Sequence, residues 1–351
     1  MKAFPRDKKI LIAGPCSAET EEQVMQTGLR LKASGHVDLY RAGIWKPRTR
    51  PDSFEGVGTE GLPWLTSMRA ATGLPITVEV AKASHVELCL KHKIDVLWVG
   101  ARTTVNPFAV QEIADSLRGV NIPVMVKNPM NPDFALWLGG IERLEKSGIS
   151  QLAAIHRGFS NLAETYYRNR PQWQLALKFH AERPDIPLIC DPSHMGGRRD
   201  VLLELSQKAM NLAYDGLMIE SHITPDDAWS DAQQQITPED YGALIDALII
   251  REDREDDKPL QIELDELRQR IDQIDDELLH LLHNRMSVAR EIGKYKKEHN
   301  VTILQKKRWA QILRRYLDQA ESRKLSNEFI ENYLAAIHDE SIDQQQQVIN
   351  K

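Results

Sequence analysis

From Lys8 to about Ile250 the chain alternates short runs of aliphatic and β-branched residues with segments long enough to be helices. The runs fall at 9–14, 37–43, 75–80, 95–100, 123–127, 152–157, 187–191 and 216–220. They are mostly apolar on both sides of the chain, as strands buried on both faces must be. Helical stretches lie between them at 19–34, 84–92, 107–118, 133–147, 172–182 and 200–213. Several open on a capping residue or an early proline, as at Asn106-Pro107 and Asn131-Pro132-Asp133. Eight strand–helix units in about 240 residues predict a (β/α)8 barrel, a fold that usually takes about 250. A doubly wound open sheet is the other fold compatible with the pattern, but no glycine-rich fingerprint follows the first strand.

The pattern stops at a charged stretch, Arg-Glu-Asp-Arg-Glu-Asp-Asp-Lys-Pro from Arg251, so residues 251–260 read as a linker. The division expected is a barrel over 1–250 and an all-helical region over 261–351. In that region Leu264, Leu267, Ile271, Ile274, Leu278, Leu281, Leu282, Val288 and Ile292 recur at helical spacing. They predict one helix over 261–298, about 57 Å long at a rise of about 1.5 Å per residue. Such a helix has no core of its own to bury against, so a second copy of the chain is expected beside it, making at least a homodimer. Two shorter helices are expected at 304–320 and 326–347.

Charge limits the partners. The net charge is −6, which argues against nucleic acid as a general partner and makes any basic cluster a local site. No apolar run spans a bilayer and the N-terminus carries no export signal, so the expectation is a cytoplasmic protein with no membrane partner. Cys16, Cys89 and Cys190 are then reduced thiols, with Cys89 and Cys190 read as core filler.

In (β/α)8 barrels the reacting groups lie at the C-terminal ends of the strands. Here those ends carry Cys16, Arg41 with Lys46, Arg102, Lys127, Arg157, His194 and Glu220, with Asp231 soon after. Two subsets separate. Cys16, His194, Glu220 and Asp231 form a mixed sulfur, nitrogen and oxygen set suited to a divalent transition metal. Arg41, Lys46, Arg102, Lys127 and Arg157 form a cationic cup for a substrate bearing phosphate and carboxylate. The stretch Tyr40–Pro51, rich in arginine and lysine, is either part of that cup or a solvated basic loop.

Gly14-Pro-Cys-Ser, Lys46-Pro-Arg-Thr, Gly100-Ala-Arg-Thr-Thr, His156-Arg-Gly, Asp191-Pro-Ser-His and Ile219-Glu-Ser-His, in this order, resemble 3-deoxy-D-arabino-heptulosonate 7-phosphate (DAHP) synthase in its short form. The resemblance spans roughly residues 8–250. It implies metal-dependent condensation of phosphoenolpyruvate with erythrose 4-phosphate. Cys16, His194, Glu220 and Asp231 match its metal ligands, with Mn²⁺ placed ahead of Fe²⁺, Co²⁺ and Zn²⁺. Arg41, Lys46, Arg102, Lys127 and Arg157 match its phosphoenolpyruvate site, and Arg48 and Thr49 its erythrose 4-phosphate contacts. Lys46 is expected to shuttle a proton. The sister enzyme that makes the eight-carbon sugar acid carries Asn-Arg-Ser where this chain has Pro47-Arg48-Thr49.

Residues 261–351 resemble the all-helical class of chorismate mutase, through Leu267-Arg-Gln-Arg-Ile-Asp, Asn284-Arg285, Ile292-Gly-Lys-Tyr-Lys296, Arg308, Ser341 and Gln345. The resemblance implies that Arg268, Arg285 and Arg308 clamp the chorismate carboxylates, with Arg268 reaching into a partner subunit. Ser341 matches a further carboxylate contact, and Lys296 and Gln345 the catalytic pair at the ether oxygen. The family's acidic residues at two positions are Gln305 and Trp309 here. A fused mutase also suggests feedback inhibition of the synthase by prephenate or chorismate. The alternative is a helical tail that serves chiefly for regulatory binding or dimerisation.

Overall fold

The structure is a computed structural model that describes residues 3–46, 54–161, 166–251, 258–304 and 306–350. The chain divides into two compact units, Met1–Arg251 and Glu252–Lys351.

The first unit is a closed barrel of eight parallel strands in sequence order: β1 (Ile10–Gly14), β2 (Leu39–Ala42), β3 (Ile76–Val80), β4 (Val96–Val99), β5 (Val124–Lys127), β6 (Leu152–His156), β7 (Leu188–Cys190) and β8 (Gly216–Glu220). β1 closes on β8 through the register Ile10↔Gly216 to Gly14↔Glu220. This is the expected barrel and not the open sheet.

Side chains alternate along each strand. One set fills the barrel interior: Ile10, Ile12, Leu39, Val96, Trp98, Met125, Ala153, Ile155, Ile189 and Met218. The other packs between barrel and helices, including Ala13, Tyr40, Ala42, Val78, Leu97, Val99, Val126, Ala154, Cys190 and Ile219. Carrying the same alternation to the strand ends turns Arg41, Glu79, Lys127, Arg157, Asp191 and Glu220 inward. The period of two thus puts charge on one end of an otherwise apolar barrel.

Four of the longer surrounding helices begin where a side chain satisfies their first N–H groups. Thr20 caps Glu21–Ser34 and Asn106 caps Pro107–Ser116. Asp133 caps Phe134–Lys146 and Thr237 caps Pro238–Asp246. A helix at Gly61–Thr72 has no capping side chain.

Two glycines set strand-end spacing. A Cβ on Gly14 would lie 2.1 Å from the Arg41 carbonyl oxygen, and one on Gly100 would lie 1.9 Å from Glu79 Oε1. Gly14, at φ +148°, lets β1 and β2 close together where Cys16 and Arg41 emerge.

The second unit has three helices, Lys258–Glu298, Lys306–Ala320 and Asn327–Asn350. The first, of 41 residues, is about 61 Å long. It meets the last helix closely: a Cβ on Gly293 would sit 3.0 Å from Gln345 Cα. A small core joins Ala320, Ile330 and Leu334 with Trp309, Ile312, Leu313, Tyr316 and Leu317. No described helix is long and apolar enough to cross a membrane.

Candidate active sites

At the C-terminal end of the barrel, Cys16 Sγ and carboxylate oxygens of Glu220 and Asp231 lie within 4.8 Å of one another. Cys16 and Glu220 are buried. Burial first, then the charge of Glu220, pushes the Cys16 thiol up to about 12. Asp231 adopts a left-handed backbone, φ 48°, which Asp tolerates better than most residues.

His194 stands beside this trio, with Nε2 at 3.6 Å from Glu220 Oε1 and Nδ1 at 2.8 Å from Asp191 Oδ2. A carboxylate on Nδ1 fixes the ring so that Nε2 is the nitrogen left to face the trio. Burial lowers the His194 pKa, which favours the neutral imidazole. Sulfur, imidazole and two carboxylates in this arrangement fit a divalent transition metal.

Cations balance the donors. Lys46 Nζ is 2.7 Å from Cys16 Sγ. Arg41 pairs with Glu220 at 2.9 Å, Arg168 with Asp231 at 3.0 Å, and Lys127 with Asp191 at 2.7 Å. Burial drives the Lys127 pKa down, against the pull of Asp191. Burial also lowers Arg157, to about 10. Arg41 is buried, yet its Nε and Nη1 have no hydrogen-bond partner among the described residues. Buried N–H groups left unpaired by the protein are costly, so they mark a place where an anionic ligand belongs.

Arg157 is held by Asn169 Oδ1 at 2.7 Å. Arg102 lies exposed at the start of the short helix Ala101–Thr104, close enough for its charge to depress Arg157. Arg48 and Thr49 lie outside the described residues.

Three neighbours were not among the expected site residues. Asp191 caps its helix through His194 N and also binds Lys127. Arg168 joins Asp231 to Gln234. Glu79 accepts a hydrogen bond from Trp98 Nε1 at 3.2 Å. Glu79 and Asp191 are carboxylates at strand ends, where inward parity is the sequence signal for them; Arg168 follows β6 in a loop and gives none.

The second unit holds its own cavity, lined by Arg285, Lys296, Arg308, Trp309, His338, Ser341 and Gln345 with an apolar side of Val288, Ala289, Ile292, Ile303 and Ile312. Lys296 Nζ donates to Gln345 Oε1 at 3.0 Å, and Arg285 donates to Ser341 Oγ. Arg285 and Lys296, eleven residues apart, face the same cavity because about three helical turns separate them. Arg268 does not line it; it is exposed and pairs with Asp265 at 2.9 Å. Trp309 stacks on His338 with ring centroids 4.2 Å apart. Gln305 lies outside the described residues.

Comparisons with known proteins follow the same division. Residues 4–256 match the DAHP synthetase I family, and residues 267–346 match chorismate mutase type II. The chain is 32% identical over 235 residues to the phospho-2-dehydro-3-deoxyheptonate aldolase of Thermotoga maritima, covering 67% of each protein. It is 25% identical over 258 residues to a 2-dehydro-3-deoxyphosphooctonate aldolase of Rhodopseudomonas palustris, covering 68% of this chain and 86% of that one. The crystal structure of the T. maritima DAHP synthase superposes with a TM-score of 0.62 at 29% identity, covering 68% of each chain. A truncated form of the T. maritima synthase gives 0.59 at 26% identity, over 68% of this chain and 84% of that one. The chain therefore belongs to the DAHP synthetase I family and carries, in the same polypeptide, a second enzyme module of the type II chorismate mutase family.

Proposed function

We propose that this is a bifunctional cytoplasmic enzyme of the shikimate pathway, joining phosphoenolpyruvate to erythrose 4-phosphate on its barrel and rearranging chorismate to prephenate in its helical tail. The observation that carries the first activity is the pairing of a metal-type donor trio with a buried arginine, Arg41, whose Nε and Nη1 lack partners among the described residues. Cys16, His194, Glu220 and Asp231 would hold a divalent ion, Mn²⁺ ahead of Fe²⁺, Co²⁺ and Zn²⁺. When bound, such an ion supplies Lewis-acid polarisation of the sugar aldehyde. Arg41, Lys127, Arg157 and Arg102 bind the phosphate and carboxylate of phosphoenolpyruvate and stabilise the negative charge of the departing phosphate as C3 attacks the aldehyde carbon, water adds at C2 and inorganic phosphate leaves. Arg48 and Thr49 bind the phosphate of the four-carbon sugar. Lys46, with Nζ against Cys16 Sγ, moves a proton at the reacting aldehyde oxygen. The seven-carbon product is favoured over the eight-carbon one by the family match and by Pro47-Arg48-Thr49.

In the tail, Arg285, Arg308 and Ser341 grip the two carboxylates of chorismate, and Lys296 with Gln345 hydrogen-bonds its ether oxygen. The rearrangement needs no nucleophile, acid or base, so orientation and fixed charge carry it. Arg268 completes the site of a partner copy. Variants separate the two sites. Cys16→Ala should lower the condensation at least 100-fold and leave the rearrangement within twofold, on the order of what loss of one essential group costs. Arg285→Ala should do the reverse. Loss of both activities in either variant contradicts two independent sites.

The fused mutase also makes the chain a feedback sensor, with prephenate or chorismate in the tail inhibiting the barrel. A chain ending before Lys258 should keep the condensation and lose the inhibition by prephenate. Inhibition that survives truncation rejects this part of the reading.

A further inference from the structure

Trp98 belongs to neither the metal-type donors nor the cationic cup, yet three charged side chains converge on it. It is fully buried in the barrel interior, near the C-terminal end of β4. Arg41 Cζ lies 5.1 Å from the centroid of its ring, and Lys127 Nζ lies 5.9 Å from it. Its indole N–H donates to Glu79 Oε2 at 3.2 Å. Glu79 comes from β3 and Lys127 from β5, the two strands that flank β4, and Arg41 comes from β2.

A cup that must seat an anion faces two internal problems. Its cations repel one another where water is scarce, and any nearby carboxylate competes with the ligand for them. Trp98 addresses both. The face of an indole is electron-rich, and a cation within about 6 Å is attracted to it, which offsets the repulsion between Arg41 and Lys127. The N–H at the ring edge occupies one oxygen of Glu79. Gly100 leaves room for the other, since any Cβ there would collide with it. Glu79 is thereby kept off the cations, and Arg41 Nε and Nη1 stay unpaired.

We propose that Trp98 is a positioning residue for the cationic cup: it seats Arg41 and Lys127 on one ring and holds Glu79 aside, and so sets affinity for the anionic enol phosphate without touching its reacting atoms. This rests on the assignment of Arg41 and Lys127 to phosphoenolpyruvate.

The test is calorimetric binding of phosphoenolpyruvate to the full-length, metal-loaded protein, with circular dichroism and the thermal melt of the same sample as a check on the folding of its barrel. Trp98→Gln keeps an N–H donor but loses the ring, and should weaken binding about tenfold, the size of one or two lost cation–π contacts. Trp98→Phe keeps a ring but frees Glu79, and should weaken binding by roughly threefold to tenfold, on the order of one lost hydrogen bond. Adding Glu79→Gln to Trp98→Phe should return most of that loss, because the competing charge is gone. A residue that only fills space gives no such rescue. Wild-type affinity in Trp98→Phe, or an affinity loss in it that Glu79→Gln does not relieve, overturns the proposal. If the wild-type protein itself does not bind phosphoenolpyruvate, the assignment of the site fails and the proposal with it. If Trp98→Gln does not fold, Trp98→Phe and the double variant decide alone.

Discussion

At the scale of single residues, side-chain parity explains both what the sequence reveals and what it hides. Arg41, Lys127, Arg157 and Glu220 were legible because a charged residue ending an apolar strand has few structural reasons to be there. Asp191, Arg168 and Trp98 were not, because their roles come from partners distant in sequence: Lys127 and His194 for Asp191, Asp231 for Arg168, and two cations for Trp98. His156 shows the other side of parity. It points away from the barrel interior, is buried, and bonds Tyr214 Oη through Nδ1 at 2.8 Å. Burial, reinforced by the Arg157 charge and opposed by a backbone hydrogen bond at Pro171, lowers its pKa from 6.5 to about 3. The folded state thus refuses a proton that the unfolded chain accepts. The stability this confers is complete above about pH 6.5 and lost as the pH falls towards 3, at about 1.4 kcal/mol per pH unit. Denaturant unfolding of the protein between pH 6.5 and 5 should show this slope, and His156→Gln should flatten it. An equal slope in the variant contradicts the assignment.

At the scale of elements, strands buried on both faces stand out because their composition must be apolar throughout. Helix Gly61–Thr72 was not among the helices named from the sequence, since it follows a stretch rich in proline and glycine that hides its start. The long tail helix was legible from its stripe, and the stripe is also what the single chain leaves unsatisfied. Leu267, Ile271, Ile274, Leu278 and Leu281 remain 45–62% exposed. A continuous apolar row of this length suits a second helix, and in the proposed function Arg268, exposed on the same helix and outside the tail cavity, serves a neighbour's cavity. Ile271→Glu combined with Leu278→Glu should convert the protein to monomers in analytical ultracentrifugation and lower mutase turnover at least tenfold, since the site loses its partner's arginine. An intact dimer, or monomers with full mutase turnover, contradicts this arrangement.

At the scale of the whole molecule, one polypeptide joins two kinds of catalysis with opposite requirements. The barrel gathers sulfur, imidazole and carboxylate around a place for a metal and surrounds it with buried cations. The tail cavity has cations, an amide, a hydroxyl, an imidazole and an indole, and no carboxylate or thiol among its described lining residues. In the proposed function only the first uses a metal. Both reactions should therefore be measured on one full-length sample, before and after a strong chelator and after adding back Mn²⁺. The expected result is loss of more than about 99% of the condensation on chelation, recovery on metal addition, and a rearrangement rate unchanged within twofold throughout. Condensation that persists in chelator, or a rearrangement that falls with it, contradicts the division of chemistry between the barrel and the tail.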